Sequence, residues 1–320
     1  MSDDTSSVTV RPRLANAQAL GFVFAVASAL GFSWKAILAK LAYRSGVDAT
    51  TVLGLRMGFA LPAYLGMAIW GVRARVRSQA QTAISGHLDI ADGLTIAGLG
   101  VFGYYLASYL DFFALTRISA GLERLILFLY PSLVVLLVAL RDRRRIGTRE
   151  LQALVLGYAG IVCVFVSDSG RAPQGSAAWF GVLAVFASTI TYSLYLVGAE
   201  RVLAKVGSLL FTGVAMTCAC VASLTVFFVS GHDLTHIPAR AIYLCALMAA
   251  FSTVGPTWLL TEAMRRIGPG RAALCGMLGP VTTVGLEVLL LGETAGWSDL
   301  LGTALVLGSV WLLTRARTHQ

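Results

Sequence analysis

Apolar residues fall along this chain in long runs, separated by short polar and mostly basic segments. A helix rises 1.5 Å per residue, so about 20 apolar residues are enough to cross the hydrocarbon core of a bilayer. Ten runs are of this kind, at 20–41, 49–71, 91–115, 119–140, 151–167, 177–198, 209–230, 241–263, 270–292 and 297–314. The connections are short and leave no room for a soluble domain. The longest, from about Val72 to Ile90, is polar and basic. The opening MSDDTSSVTVRPR lacks a short apolar core followed by a small-residue cleavage site, so residues 1–19 read as a cytoplasmic tail.

The runs repeat. Ile118–Pro131 lines up with Ile267–Pro280 at a shift of 149 residues, and Leu154–Gly157 with Leu305–Gly308 at a shift of 151. In the first spans, Gly21 aligns with Gly181, Ala27-Ser28 with Ala187-Ser188, and Ser33 with Ser193. Residues 20–168 (spans 1–5) therefore recur as 177–315 (spans 6–10). Five is odd, so the second copy is expected upside down relative to the first. The predicted fold is an all-α integral membrane protein of ten transmembrane helices in two inverted-topology five-helix repeats, the build of a secondary transporter that works by alternating access.

Composition agrees. Hydrophobic residues make up 57% of the chain and charged residues 13%, about half the charged share of a soluble domain. That excludes a disordered chain, a coiled coil and a disulfide-rich secreted scaffold. The net charge of +9 suggests nucleic acid until its location is examined. With the N-terminus in the cytoplasm, 17 of the 25 basic residues face inward and five outward, while Lys35, Arg56 and Arg124 lie within spans. This is the bias that orients membrane proteins, and it puts both termini inside and removes the need for a nucleic-acid partner. The five cysteines lie inside apolar runs and read as small core residues; the four histidines lie outside them, against an intramembrane haem or di-iron centre. No metal or cofactor is expected. No P-loop is present, and nothing in a span assembles a hydrolase.

The second half carries Ala263-Met264-Arg-Arg-Ile-Gly-Pro-Gly270, a span containing Pro280, Leu290-Leu291-Gly292-Glu293, and Gly302-Thr-Ala-Leu-Val-Leu-Gly308. The first half matches at Ala114-Leu115, Ser119-Ala120, Pro131 and Gly157. These segments resemble the EamA-type repeat of the drug/metabolite transporter superfamily, over about residues 20–315. Arg56 also fits an arginine that family tends to carry early in span 2. One departure is Arg141-Asp142-Arg143, where the first copy would show Gly-Glu. The resemblance implies ten helices around a central cavity. It also implies a plasma-membrane carrier (inner membrane in a cell with two) of small metabolites, often amino acids and often outward.

Charges within a bilayer are costly and normally face a cavity or a partner. Lys35, Arg56, Asp111, Glu123, Arg124 and Glu287 lie within spans, roughly 6–10 Å from the outer end of each. They either pair with one another or form a layer suited to a zwitterion, with carboxylates available to protons. Arg56 reads foremost as a structural anchor, and Arg124 is grouped with it. Tyr104, Ser108 and Asp111 form one polar stripe on span 3, Ser188, Thr191, Tyr192 and Tyr195 another on span 6, Gly255, Trp258 and Glu262 a third, and Thr283 with Glu287 a fourth. Glu262, four residues before Arg266, is expected in a surface ion pair. Pro131 and Pro280 hold matched positions where each is expected to kink its helix, as interrupted helices do near transporter sites. Gly54-x-x-x-Gly58, Ala153-x-x-x-Gly157 and Ala304-x-x-x-Gly308 read as packing faces, including a homodimer face.

The reading favoured is a secondary carrier exporting a small amphipathic metabolite, with proton coupling through Asp111 or Glu287. A lipid or lipid-carrier flippase of the same superfamily, and a non-transporting membrane partner or sensor, compete with it.

Overall fold

The computed structural model describes residues 10–81, 89–141, 143, 145, 147–168, 176–232, 236–276, 278–292 and 296–317; among them every regular element is a helix. Helix α1 (Val10–Tyr43) turns through Gly46, at φ 86°, into α2 (Ala49–Gln81). Asp48 caps α2 by accepting the Thr51 amide at 3.0 Å. Helix α3 (Ile90–Gly98) passes through a π-helical stretch, Leu99–Tyr105, into α4 (Leu106–Leu115). Helix α5 (Ala120–Leu127) is capped by the Ser119 hydroxyl, and α6 (Tyr130–Arg141) and α7 (Thr148–Asp168) follow.

The same sequence of events then recurs. Helix α8 (Ser176–Val206) turns through Gly207, at φ 81°, into α9 (Ser208–Val229). Gly46 and Gly207 hold corresponding places, where glycine alone takes a φ near 80° without steric cost. Helix α10 (Ala239–Ala249) passes through a second π-helical stretch, Ala250–Val254, into α11 (Gly255–Cys275), which is parted at Gly268. Helix α12 (Leu278–Leu286) runs into π-helical Glu287–Leu291, and α13 (Trp297–Arg317) comes last.

Seven helical stretches among the described residues are long and apolar enough to cross a bilayer: Gln18–Tyr43, Ala49–Arg77, Ile90–Leu115, Ala120–Arg141, Ala177–Val206, Ser208–Val229 and Ala239–Gly268. The other three expected spans fall on α7, on α12 with its flanks, and on α13, where Leu300–Ser309 is a shorter apolar stretch. The ninth is broken at Gly276, so it offers no single long helix. Among the described residues, seven of the ten expected spans meet the criterion of length and hydropathy.

Helix pairing follows a pattern of exchange. Helix α1 packs on α11, and α8 packs on α4; α2 lies against α9, and α7 against α13. Ser28 of α1 donates to the Pro256 carbonyl at 2.7 Å, and Ser188 of α8 donates to the Ala107 carbonyl at 2.7 Å. Position 28 aligns with 188 and 107 with 256, so the second bond is the first with the halves exchanged. Small residues bring these helices close. A Cβ on Gly21 would lie 2.7 Å from Ile267 Cγ2, and one on Gly181 would lie 2.9 Å from Ile118 Cγ2. The core is rich in alanine, serine and threonine, with Cys220 and Cys245 fully buried, and all five cysteines are free. The outside carries exposed Trp70, Leu94, Phe102, Phe180, Leu183 and Phe251. A surface this apolar suits lipid.

Candidate functional site

A cavity of about 90 Å³ opens between the halves. Helix α1 supplies Ser28, Phe32 and Lys35 to its wall, and α8 supplies Ser188 and Tyr192; α4 adds Ser108 and Asp111, and α11 adds Leu260. Tyr104, at the end of the first π-helical stretch, and Arg124 of α5 complete the polar lining.

Two helix breaks reach the cavity. Helix α5 stops at Leu127 and α6 resumes at Tyr130; α11 stops at Cys275 and α12 resumes at Leu278. Leu127 and Tyr130 line the cavity from one break, and their aligned counterparts Gly276 and Gly279 line it from the other. The matched prolines thus act differently from the expectation of kinks. Pro131 and Pro280 lie in the first turn of α6 and α12, just past each break. In a first turn the missing amide hydrogen leaves no bond unmade. Hydroxyls from the facing first helices steady both breaks: Ser33 Oγ donates to the Gly279 carbonyl at 3.2 Å, and Ser193 Oγ to the Tyr130 carbonyl at 3.4 Å.

Three charged side chains, Lys35, Asp111 and Arg124, line the cavity. Lys35 pairs with Asp111, whose side chain is 2% exposed. Arg124 Nη2 donates to the Phe32 carbonyl at 2.5 Å. Glu123 is fully buried and its carboxyl lies against that of Asp111; neither of its oxygens meets a donor among the described residues. Two carboxyls in contact are tolerable only with positive charge or a proton between them, and Lys35 and Arg124 are the neighbouring cations. The wall also carries aromatic rings. Tyr130 and Tyr192 meet edge-on at 5.4 Å, Tyr192 stacks on Tyr195 at 6.0 Å, and Tyr104 meets Tyr195 at 5.9 Å.

A sequence profile of the EamA-like transporter family matches the chain twice, over residues 19–166 and again over 179–315. The chain belongs to the EamA-like transporter family. Among its relatives, the uncharacterized transporter YcbK of Bacillus subtilis is 29% identical over 290 residues, 89% of each chain. The uncharacterized inner membrane transporter YicL of Salmonella typhimurium is 23% identical over 70% of this chain and 73% of its own. A solved crystal structure shares the fold at TM-score 0.62 and 19% identity, covering 94% of this chain and 97% of that one. This EamA-family chain is accordingly a multi-pass membrane protein of a transporter family.

Of the side chains singled out in the sequence, Lys35, Tyr104, Ser108, Asp111, Arg124 and Tyr192 line the cavity. Glu123, Tyr195, Trp258 and Thr283 do not. Tyr195 backs the tyrosine cluster, Trp258 packs on Phe24 at 6.0 Å, and Thr283 is fully buried. Arg56 is 1% exposed, with its guanidinium 4.6 Å from the Phe112 ring centre and 3.5 Å from Thr253 Oγ1, away from the cavity. The side chains of Pro280 and Glu287 lie outside the described ones. Glu262 corrects the expectation of a surface ion pair. It is buried, and its carboxylate accepts from Ser208 Oγ at 2.5 Å, Arg265 at 2.6 Å and Arg266 at 2.8 Å. Two helices, α9 and α11, meet there, which a spacing argument along one helix does not reveal. Phe32, Tyr130, Gly276 and Gly279 were missed as lining residues; the signal available was their place beside residues already aligned in the repeat.

Proposed function

We propose that this EamA-family protein is a secondary-active carrier that exports a small amphipathic metabolite by alternating access. Two inverted five-helix halves would rock about the central cavity, with both termini in the cytoplasm of the plasma membrane. The observation that carries this reading is the pair of aligned helix breaks that wall one cavity from opposite halves. Broken helices at the interface of repeats expose backbone polar groups to a ligand, and they are where such carriers bind substrate. The exchanged serine bonds and the two family matches support the inverted repeat.

The lining favours a substrate with both charge and apolar surface. Arg124 Nε and Asp111 Oδ1 are buried without a hydrogen-bond partner among the described residues. They leave a donor and an acceptor for the two ends of a zwitterion such as an amino acid, with the tyrosines facing its apolar part. Asp111, Glu123 and Glu287 are the carboxyls through which protons would couple.

The test is a thermal-shift screen of the purified protein over metabolites, followed by uptake of each hit into proteoliposomes with and without a pH gradient. Stabilisation by an amino acid with saturable transport is the expected result. Stabilisation only by polyprenyl phosphates would replace this reading with a flippase. Absence of any hit, together with full tolerance to neutralising Lys35, Asp111 and Arg124, would remove it.

A further inference from the structure

Glu123 touches Asp111 but takes no part in the cavity wall, and none of its surface is exposed. Neither of its carboxyl oxygens has a hydrogen-bond partner among the described residues, and Asp111 Oδ1 lacks one too. Asp111 Oδ2 is the oxygen that meets Lys35. Three acceptor oxygens from two helices, α4 and α5, are thus buried together with no donor for any of them.

Two ordinary uses of a buried acid do not apply. Glu123 stands in the first turn of α5, but the Ser119 hydroxyl caps that helix by accepting the Leu122 amide at 3.1 Å. The neighbouring Arg124 gives Glu123 no bond and turns instead to the Phe32 carbonyl. The other titratable groups nearby are engaged elsewhere. Tyr43 of α1 donates to the Phe112 carbonyl at 2.8 Å, and Arg56 of α2 lies 4.6 Å from the Phe112 ring centre. Tyr130 of α6 and Tyr192 of α8 stand by Arg124. The start of α5 favours a negative Glu123 by about fivefold at most in its ionisation. A second bare carboxylate against Asp111, stripped of water and given no donor, is disfavoured on the order of a hundredfold or more. The second effect wins.

We infer that Glu123 and Asp111 hold one proton between them: Glu123 carries it and donates to Asp111 Oδ1, so a single hydrogen serves both carboxyls. The pair is a proton site at the edge of the cavity. Its use in coupling rests on the carrier function proposed above. There the proton passes from Glu123 to Asp111 Oδ1 and on to water in the cavity. Two carboxylates remain, with Lys35 and Arg124 as the two cations that balance them, and a proton taken up from the other side restores the pair.

The test is the infrared spectrum of the full chain, purified in detergent micelles at neutral pH in H2O and in D2O, with no metabolite added. A protonated carboxylic acid has a carbonyl band well apart from that of a carboxylate, and the band moves on deuteration. The expected result is this band in the wild type and its loss in Glu123→Gln. Asp111→Asn should also lose it, because Glu123 then gives up its proton and replaces Asp111 against Lys35. A lone buried acid would keep its band in Asp111→Asn, so that variant and the wild type decide the matter if Glu123→Gln does not fold. Glu200→Gln, which removes an acid with a 45% exposed side chain on α8, should leave the band unchanged. Absence of the band in the wild type, or its survival in Asp111→Asn, would overturn the inference. So would a missing band together with an unfolding midpoint that rises with sodium, which would put a metal ion in the place of the proton. In proteoliposomes loaded with a metabolite found by the screen, Glu123→Gln should lose the accumulation that a pH gradient drives, and full accumulation would overturn the coupling role. Failure of the carrier function shows separately, as an absence of metabolite hits, and leaves the infrared result standing.

Discussion

Asp111→Asn removes the charge that faces Lys35 while keeping the shape of the side chain. Breaking a buried ion pair by deleting one partner costs about 3–5 kcal/mol, because the other charge stays desolvated. Two features of this site lower that figure. The Lys35 side chain is 12% exposed and lines the cavity, where water can reach it. Glu123 lies against Asp111 and is close enough to take part of the load. The expected loss is therefore about 2–3 kcal/mol, on the order of 30- to 160-fold in the folded-to-unfolded ratio. Lys35→Met should cost a similar amount, since it strands Asp111 instead. The double variant carries neither charge, and its loss should fall short of the sum by more than about 1 kcal/mol. Titration of purified variants with SDS in mixed micelles, followed by tryptophan fluorescence, measures all three. Losses that add to within about 0.5 kcal/mol would refute the idea that the pair is a coupled unit. Transport by the same proteins then separates two roles. A double variant that folds and transports makes the pair structural; one that folds but does not transport puts it in the substrate path.

Pro131→Ala and Pro280→Ala should each slow transport more than they reduce folded yield if the helix breaks they follow take part in it; full activity in the double variant would make the prolines passive. A Cβ on Gly100 would lie 2.1 Å from the Ala215 carbonyl oxygen, and a backbone atom cannot rotate away. Gly100→Ala should therefore destabilise by about 1–3 kcal/mol, whereas Gly93→Ala, with nothing within 4 Å, should be neutral or stabilising in the same unfolding assay. Burial alone would raise the Asp48 carboxyl, but hydrogen bonds from Thr51 and the nearby His232 outweigh it and hold it below its ordinary value of 3.8. Its contribution to stability is then present above pH 3.8 and lost as pH falls through the lowered value, so Asp48→Asn should flatten the acid limb of the stability profile. Cysteine tags in the Arg141–Arg149 loop should react only from the cytoplasm and tags at Gly296 only from outside; labelling from the same side would sink the inverted arrangement.

Much of the architecture was legible in the chain before any coordinate was known. Runs of about 20 apolar residues admit only helices in lipid, because the segment must satisfy its own backbone. The alignment of Ile118–Pro131 with Ile267–Pro280 marked the two segments that prove to be broken, since a duplicated sequence carries its local conformational preferences with it. Lys35, Asp111 and Arg124 stood out because charge inside an apolar run needs a partner or a cavity. What the chain alone did not disclose is which charges meet. Lys35 reaches Asp111 across 76 positions and Arg124 reaches Phe32 across 92, distances in sequence that no helical period connects. Glu262 looked like a surface residue because spacing along one helix says nothing of Ser208 arriving from another. Likewise Thr283 shares a stripe with Glu287 yet is buried off the cavity, because a polar stripe marks a helix face without saying what packs against it. Local conformation and membrane insertion depend on short stretches of sequence and could be read from them. The cavity and the charges that meet in it depend on how separate helices are set against each other, which packing decides.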